Sequence, residues 1–135
     1  MGITIRTKNH YVDMGYGGFM RFRMVVANAV SREFGEHYKT MALAPYIGRD
    51  EFFKKFNLKT KEFIKTGVLP DQVAYFLFAS DCEGECNLKQ VKAVKQLLDG
   101  IEDNEENFGY CRIGNPARMS NMKLIFCGKY VVKWY

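Results

Sequence analysis

The two ends of the chain carry strand-like patterns, and helical patterns fill the sequence between them. Ile3 and Ile5 alternate with polar residues, as in a strand that buries one face. Residues 129–135 are aromatic and β-branched and predict a second strand. Because two strands alone are only marginally stable, they must pair in a small sheet that helices cover. The sequence therefore predicts a helix-rich α+β fold in a single globular domain over residues 1–135.

Capping residues, glycines and prolines divide the middle of the chain into helical segments. Apolar residues recur at helical spacing from Phe19 and Phe22 onwards, and Gly35 stands where a C-terminal cap is expected. Residues 36–48 are predicted to form a loop. Thr60 is predicted to start one of the later helices. These helices are predicted over 50–56, 61–65, 71–78, 87–100 and 115–128.

Composition excludes several classes of protein. Apolar residues make up 47% of the chain and charged residues 26%, which is typical of a folded globular domain. No stretch without a charge is longer than Gln72–Ser80, which is too short for a membrane helix. No N-terminal segment resembles a secretory signal, so we expect a cytoplasmic protein with reduced cysteines. We expect the cysteines to be buried apolar side chains: Cys82, Cys86, Cys111 and Cys127. We expect neither a metal nor another cofactor.

The charge is distributed unevenly along the chain. The whole chain carries +5, but residues 81–106 carry −5 and the remainder carries +10. A chain polarised in this way can attract an anion, such as a nucleotide, a nucleic acid or an acidic protein. The alternative is that the charges serve only solubility and association between opposite faces.

One cluster of residues near the N-terminus could bind a phosphate. Gly17 and Gly18 open a helix, whose first N–H groups form a potential anion site. Nearby basic residues could bind phosphate oxygens, and tyrosines could stack on a base. The candidate ligand-binding residues are Tyr11, Tyr16, Arg21 and Arg23, with Arg6 and Lys8 as second choices. The alternative is that Phe19 and Phe22 belong to the core and that the arginines are solvated.

The segment Ser80–Glu85 holds three carboxylates around Gly84. An oxygen-rich loop of this kind can hold Ca²⁺ or Mg²⁺, but its spacing is not that of an EF-hand. The other interpretation is structural: Glu83 and Glu85 precede an Asn87–Gln90 capping pair and would stabilise the positive end of the next helix dipole. We favour the structural interpretation, and we expect Gly84 to adopt a backbone angle that only glycine tolerates.

The two histidines do not form a catalytic motif. Two-histidine phosphoesterases need a hydroxyl residue two places after each histidine. Here the residue two places after His10 is Val12, and the residue two places after His37 is Lys39. We expect both histidines to be exposed or half-buried.

Two motifs resemble those of a group of small uncharacterised bacterial and phage proteins. That group carries an F-x-x-F-R helix, matched here by Phe19–Arg23, and an S-D-C-[DE]-G-E turn, matched by Ser80–Glu85. The resemblance covers most of the chain and implies a fold but no activity. The relatives often have a histidine before the serine, where this chain has Ala79, so any role of that histidine is absent here.

The sequence favours binding over catalysis, because it contains no nucleophile elbow, P-loop, zinc-protease or dinucleotide motif. By analogy with phage accessory proteins, we expect a non-enzymatic, homo-oligomeric protein that sequesters a small phosphorylated ligand, such as a cyclic nucleotide immune signal. The alternative is an inhibitor of a host defence protein, acting through the acidic residues of 81–106. Nucleic-acid binding is the third hypothesis.

Overall fold

The computed structural model describes residues 2–101 and 117–135. The N-terminal half comprises β1 (Gly2–Arg6), β2 (Tyr11–Gly15), α1 (Tyr16–Val30), α2 (Arg32–Lys39), a 3-10 turn (Thr40–Leu43) and α3 (Arg49–Lys65). The C-terminal half comprises α4 (Asp71–Phe78), β3 (Gly84–Cys86), α5 (Leu88–Asp99), α6 (Ala117–Ile125) and β4 (Val132–Trp134).

The sheet has four antiparallel strands in the order β2-β1-β4-β3. The first and last strands are neighbours, so the predicted pairing of the two ends and the predicted α+β fold are confirmed. Strands β2 and β3 were not predicted. They flank the central pair and increase the number of strands to four, whereas a sheet of two strands would be only marginally stable in water.

Alternate residues of each strand point into a core that the helices cover. Ile5, Val12 and Trp134 are all buried on this inner side. Phe19 and Phe22 of α1 lie fully buried against Phe76 of α4, which confirms that both phenylalanines belong to the core. Each large buried side chain stabilises the fold by about 1.5–3 kcal/mol relative to exposure. The sheet therefore has an inner face of apolar side chains and an outer face of polar ones.

The prediction that Gly35 caps the first helix is wrong. Helix α1 ends at Val30, and Ser31 caps the start of α2 by accepting a hydrogen bond from the N–H of Phe34 at 2.9 Å. Gly35 lies buried inside α2, where a Cβ atom would collide with Asn28 of α1. A close helix–helix approach, rather than a helix end, therefore explains this glycine.

The predicted loop over 36–48 is also too long, because residues 36–39 belong to α2 and Thr40–Leu43 form the 3-10 turn. The two short helices predicted over 50–56 and 61–65 are one continuous helix, α3. Thr60 does not start a helix: its hydroxyl donates to the Phe56 carbonyl at 3.0 Å within α3, and that bond is compatible with the helix continuing.

The predicted ends of α4 and α5 agree with the structure. Helix α4 spans Asp71–Phe78, directly after Pro70. Asn87 and Gln90 form a reciprocal capping box at the start of α5, and Gly100 ends that helix. The predicted start of the last helix, at 115–116, lies outside the described residues.

The sheet predicts one sharp stability effect, at Gly84. This glycine has no positive φ, so the expected special backbone angle is wrong. Instead, Gly84 pairs with Trp134 across the β3–β4 ladder, and a methyl group there would overlap the indole ring. Gly84→Ala should therefore lower the free energy of unfolding in urea by about 1–3 kcal/mol.

Gly17→Ala is the matched control, because a Cβ atom at this helical glycine meets nothing within 4 Å. It should be neutral or stabilising by up to about 1 kcal/mol. Equal effects of the two substitutions on unfolding would contradict the packing of Gly84 against the indole.

Candidate functional site

A basic cavity of about 460 Å³ opens at one end of the β1–β4 ladder. It is lined by Arg6, Thr7, Lys8, Leu88, Lys129, Tyr130, Val131 and Lys133. Four of these eight side chains are cations, and none is a carboxylate. We call this site the basic cavity.

The strand register places two of the cations directly opposite each other. Arg6 of β1 pairs with Lys133 of β4, and both side chains are exposed. Like charges opposite each other in a sheet destabilise it. In the part of the chain that the structure describes, none of the four cations lies within ion-pair distance of a carboxylate. This surface therefore carries positive charge that an anion would neutralise.

An aromatic ring and a helix N-terminus also lie at the basic cavity. The Lys8 ammonium lies 5.1 Å from the centroid of the Tyr130 ring. Leu88 is the first residue of α5, so the positive end of that helix dipole lies at the cavity wall. No acidic side chain occupies the first turn of α5.

The structure divides the six residues predicted to bind ligand into separate places. Arg6 and Lys8, the second choices, line the basic cavity. Tyr11 pairs with Arg6 across β1 and β2, and the Arg6 guanidinium lies 5.6 Å from the centroid of its ring. These three predicted residues therefore lie together. Arg21 is exposed on α1 and does not line the basic cavity.

Tyr16 lies in a different environment, beside Asp81 and Cys82. The Cys82 thiol, through its charge when ionised, is the main cause that raises the pKa of the Tyr16 phenol, followed by partial desolvation, the hydrogen bond with Cys82 and the charge of Asp81. Tyr16 does not line the basic cavity.

Arg23 is buried in the core, although it was predicted to contact a ligand. Its guanidinium lies 4.4 Å from the centroid of the Phe19 ring, 5.4 Å from that of Phe76 and 5.8 Å from that of Trp134. It donates a hydrogen bond of 3.3 Å to the Ser80 carbonyl, while its buried Nε has no described partner. Burial lowers the pKa of Arg23, opposed chiefly by the nearby Tyr38 phenol and Asp81. Three aromatic rings and a carbonyl stabilise this cation, so its role in the structure is to hold the Ser80 turn.

The turn before α5 is held by protein contacts. The Ser80 hydroxyl accepts the Cys82 N–H at 3.2 Å, and the Ser80 carbonyl accepts the Trp134 indole N–H at 2.8 Å. The residues that the structure describes contain no group of three or more potential metal ligands.

The cysteines differ from one another more than the sequence predicted. Cys86 is buried, as expected, but Cys82 is exposed and Cys127 is half-buried. Cys111 lies outside the described residues. The prediction of burial is therefore wrong for Cys82, which the Ser80 turn places at the surface.

A second cavity, of about 470 Å³, lies between α2 and α3 and contains His37. His37 is buried, which corrects the prediction of an exposed or half-buried side chain, whereas His10 is exposed. Thr60 donates its hydroxyl proton to the Phe56 carbonyl, so it accepts the Nε2–H of His37 at 2.8 Å. Burial is the first cause, and Lys59 the second, that lowers the pKa of His37.

The charges of this α2–α3 cleft are balanced. Two acids, Glu33 and Glu36, face two bases, Lys55 and Lys59, around its rim. The cleft therefore has no net preference for an anion, in contrast to the basic cavity.

Sequence reasoning missed Lys129, Tyr130 and Lys133. The prediction that the first and last strands pair leaves their register open, and the register is what brings Lys133 beside Arg6. With Ile5 and Trp134 both facing inward, antiparallel pairing brings their outward neighbours Arg6 and Lys133 side by side.

No known protein family, curated protein or solved structure matches this chain. No helix in residues 2–101 or 117–135 is long and apolar enough to cross a membrane. The acidic face of 81–106 proposed for protein inhibition lies only partly in the described residues: Asp81, Glu83, Glu85 and Asp99 are described, whereas Glu102, Asp103, Glu105 and Glu106 lie outside them. The basic cavity is therefore the candidate site that the described side chains support best.

The buried core predicts loss of stability at alkaline pH. Burial raises the pKa of both Cys86 and Tyr38 to about 12, from ordinary values of 9.0 and 10.0. The unfolded chain therefore releases these protons at lower pH than the folded protein does. Their contribution to stability is complete below pH 9 and is lost progressively as the pH rises towards 12, so the free energy of unfolding should fall over this range.

Urea denaturation of the wild type and of Tyr38→Phe across this range measures the effect. Tyr38→Phe loses the hydrogen bond to the Leu77 carbonyl at every pH, but its stability should fall less steeply above pH 10. Tyr46→Phe, at a side chain that is 99% exposed, is the control and should follow the wild type. A Tyr38→Phe curve parallel to that of the wild type would contradict this assignment.

Proposed function

We propose that the protein is a non-enzymatic, cytoplasmic binding protein for a small phosphorylated ligand of the nucleotide type, and that this ligand occupies the basic cavity. The observation that carries the proposal is the convergence of Arg6, Lys8, Lys129 and Lys133 on one cavity with no carboxylate in its lining. A bound phosphate would accept charge-assisted hydrogen bonds from these side chains and relieve the repulsion between Arg6 and Lys133.

The size and lining of the basic cavity favour a nucleotide over a bare inorganic anion. Its volume of about 460 Å³ lies within the range of small-molecule sites, about 300–1,000 Å³. Leu88, Tyr130 and Val131 supply apolar and aromatic surface beside the cations. This combination suits a ligand with both a phosphate and a flat base.

The lining also supports binding over catalysis. Its cations would neutralise the charge of a bound anion. Apart from Tyr130, Thr7 is the one lining residue with a hydroxyl, and that hydroxyl donates to the Val131 carbonyl at 3.0 Å. A protein of this kind could sequester a nucleotide immune signal in the manner of phage accessory proteins. Incubation with a panel of cyclic nucleotides and ADP-ribose-type signals, followed by heat denaturation, should return the ligand intact. Recovery of an altered product would instead indicate an enzyme.

The expectation of a homo-oligomer stays a prediction. Large side chains at and after the 3-10 turn are strongly exposed: Leu43, Tyr46 and Ile47. Exposed apolar surface of this kind is compatible with self-association, which light scattering would measure directly.

Two substitutions at one ladder position test the role of charge. Lys133→Gln should weaken nucleotide binding by about tenfold, because one charge-assisted hydrogen bond is lost. Lys133 lies opposite both Arg6 and Glu85, so this change removes a repulsion and an attraction together. Its effect on the free energy of unfolding should therefore stay below about 1 kcal/mol. Isothermal titration calorimetry with the tightest nucleotide of the panel gives the affinity.

Glu85→Gln should have the opposite effect and tighten binding, because it removes the negative charge beside Lys133. Lys61→Gln, an exposed position on α3, is the control for general loss of positive charge. Equal weakening by Lys133→Gln and Lys61→Gln would show that binding depends on net charge alone and would contradict the proposed site.

A further inference from the structure

The outer face of the sheet continues directly from the basic cavity and is covered by none of the described elements. Its side chains alternate with those of the buried inner face and are exposed or half-buried. This outer sheet face consists of Thr4, Arg6, Tyr11, Asp13, Glu85, Lys133 and Tyr135. Arg6 and Lys133 belong both to this face and to the basic cavity. A ligand with its phosphate in the cavity could therefore extend over the outer sheet face.

The strand register arranges the outer sheet face in two rows. The first row runs across all four strands as Tyr11, Arg6, Lys133 and Glu85. In the second row, Thr4 and Tyr135 exchange backbone hydrogen bonds of 2.9 and 3.1 Å. Each row thus contains one tyrosine, and the two cations lie between Tyr11 and the acidic edge formed by Glu85.

Both tyrosines offer an accessible aromatic surface. Tyr11 is 62% exposed and Tyr135 is 58% exposed. The Arg6 guanidinium lies near the Tyr11 ring, which gives an aromatic group and a cation at one position. Base stacking on an aromatic side chain contributes about 1–3 kcal/mol and tolerates any base.

The distance between the tyrosines restricts the ligand. Tyr11 and Tyr135 lie two strands apart across the sheet and two residues apart along the strand direction. With the usual spacing between strands and the usual rise per residue, their backbones are about 12 Å apart. Successive bases of a regular stacked strand are only about 3.4 Å apart. Two neighbouring bases of one ligand that contact the two rings must therefore be splayed away from each other. Bases in a duplex cannot separate in this way without losing their pairing.

We infer that the outer sheet face binds single-stranded nucleic acid. Its phosphates lie along Arg6, Lys133 and the other cations of the basic cavity, and two unpaired bases stack on Tyr11 and Tyr135. This inference rests on the proposed phosphate binding in the basic cavity and extends its ligand from one nucleotide to a strand. Glu85 marks the edge of the binding surface, while Asp13 accepts a hydrogen bond from the Thr4 hydroxyl.

Fluorescence anisotropy with a labelled oligothymidylate tests the inference on the full chain. The strand should bind more tightly than thymidine monophosphate, and its affinity should fall as salt rises. Tyr11→Ile and Tyr135→Ile, which keep a strand-forming residue, should each weaken binding of the strand by at least about fivefold. Tyr135→Ile, which changes no residue of the basic cavity, should leave binding of the monophosphate unchanged. Tyr46→Ile is the matched control, since it removes an exposed tyrosine outside the sheet.

The outcomes separate this inference from the proposed function. If mononucleotide and strand bind equally and neither tyrosine substitution matters, the inference is wrong and the basic cavity stands as a nucleotide site. Tighter binding of a hairpin duplex or of a cyclic dinucleotide than of the strand would also overturn the inference. If no phosphorylated probe binds, both the inference and the proposed function fail.

Discussion

The position of the Trp134 side chain fixes the arrangement of the sheet. The indole lies fully buried, with its ring centroid 5.6 Å from that of Phe19 and 5.8 Å from that of Phe76, and it donates to the Ser80 carbonyl. Because side chains alternate along a strand, an inward Trp134 forces Lys133 outward. A shift of one residue in β4 would bury Lys133 and expose the indole. The contacts of one tryptophan therefore place Lys133 beside Arg6 and create the basic cavity.

Arg23 complements this constraint by donating to the same Ser80 carbonyl. A buried guanidinium is costly unless its charge is compensated, and here the compensation comes from aromatic rings and a carbonyl. The Ser80 turn is consequently held by two donors, Arg23 and Trp134, which belong to α1 and β4. This turn leads into β3, so the same contacts help to position the strand that pairs with β4. The core and the outer surface are thus coupled through a few backbone and indole contacts.

The sequence was sufficient to predict the fold class, the pairing of the chain ends and the boundaries of α4 and α5, because local alternation and capping residues determine those features. It was insufficient where tertiary contacts decide. Gly35 is a residue type typical of a helix C-terminal cap, yet the close contact with Asn28 is what requires a glycine at this position. Arg23 is a residue type that often contacts an anionic ligand. However, it lies four residues after Phe19, so both side chains lie on the same, buried face of α1. Lys133 was overlooked because its importance depends on the strand register.

A nuclear magnetic resonance titration with a nucleotide provides the most direct test that phosphate binding occurs in the basic cavity. The backbone amide resonances of residues 6–8, 88 and 129–133 should shift in a saturable manner as the nucleotide is added. Those of the α2–α3 cleft, over 33–40 and 52–59, should remain in place. Saturable shifts confined to the α2–α3 cleft or to the surroundings of Tyr16 and Asp81, or no saturable shifts at all, would contradict the account.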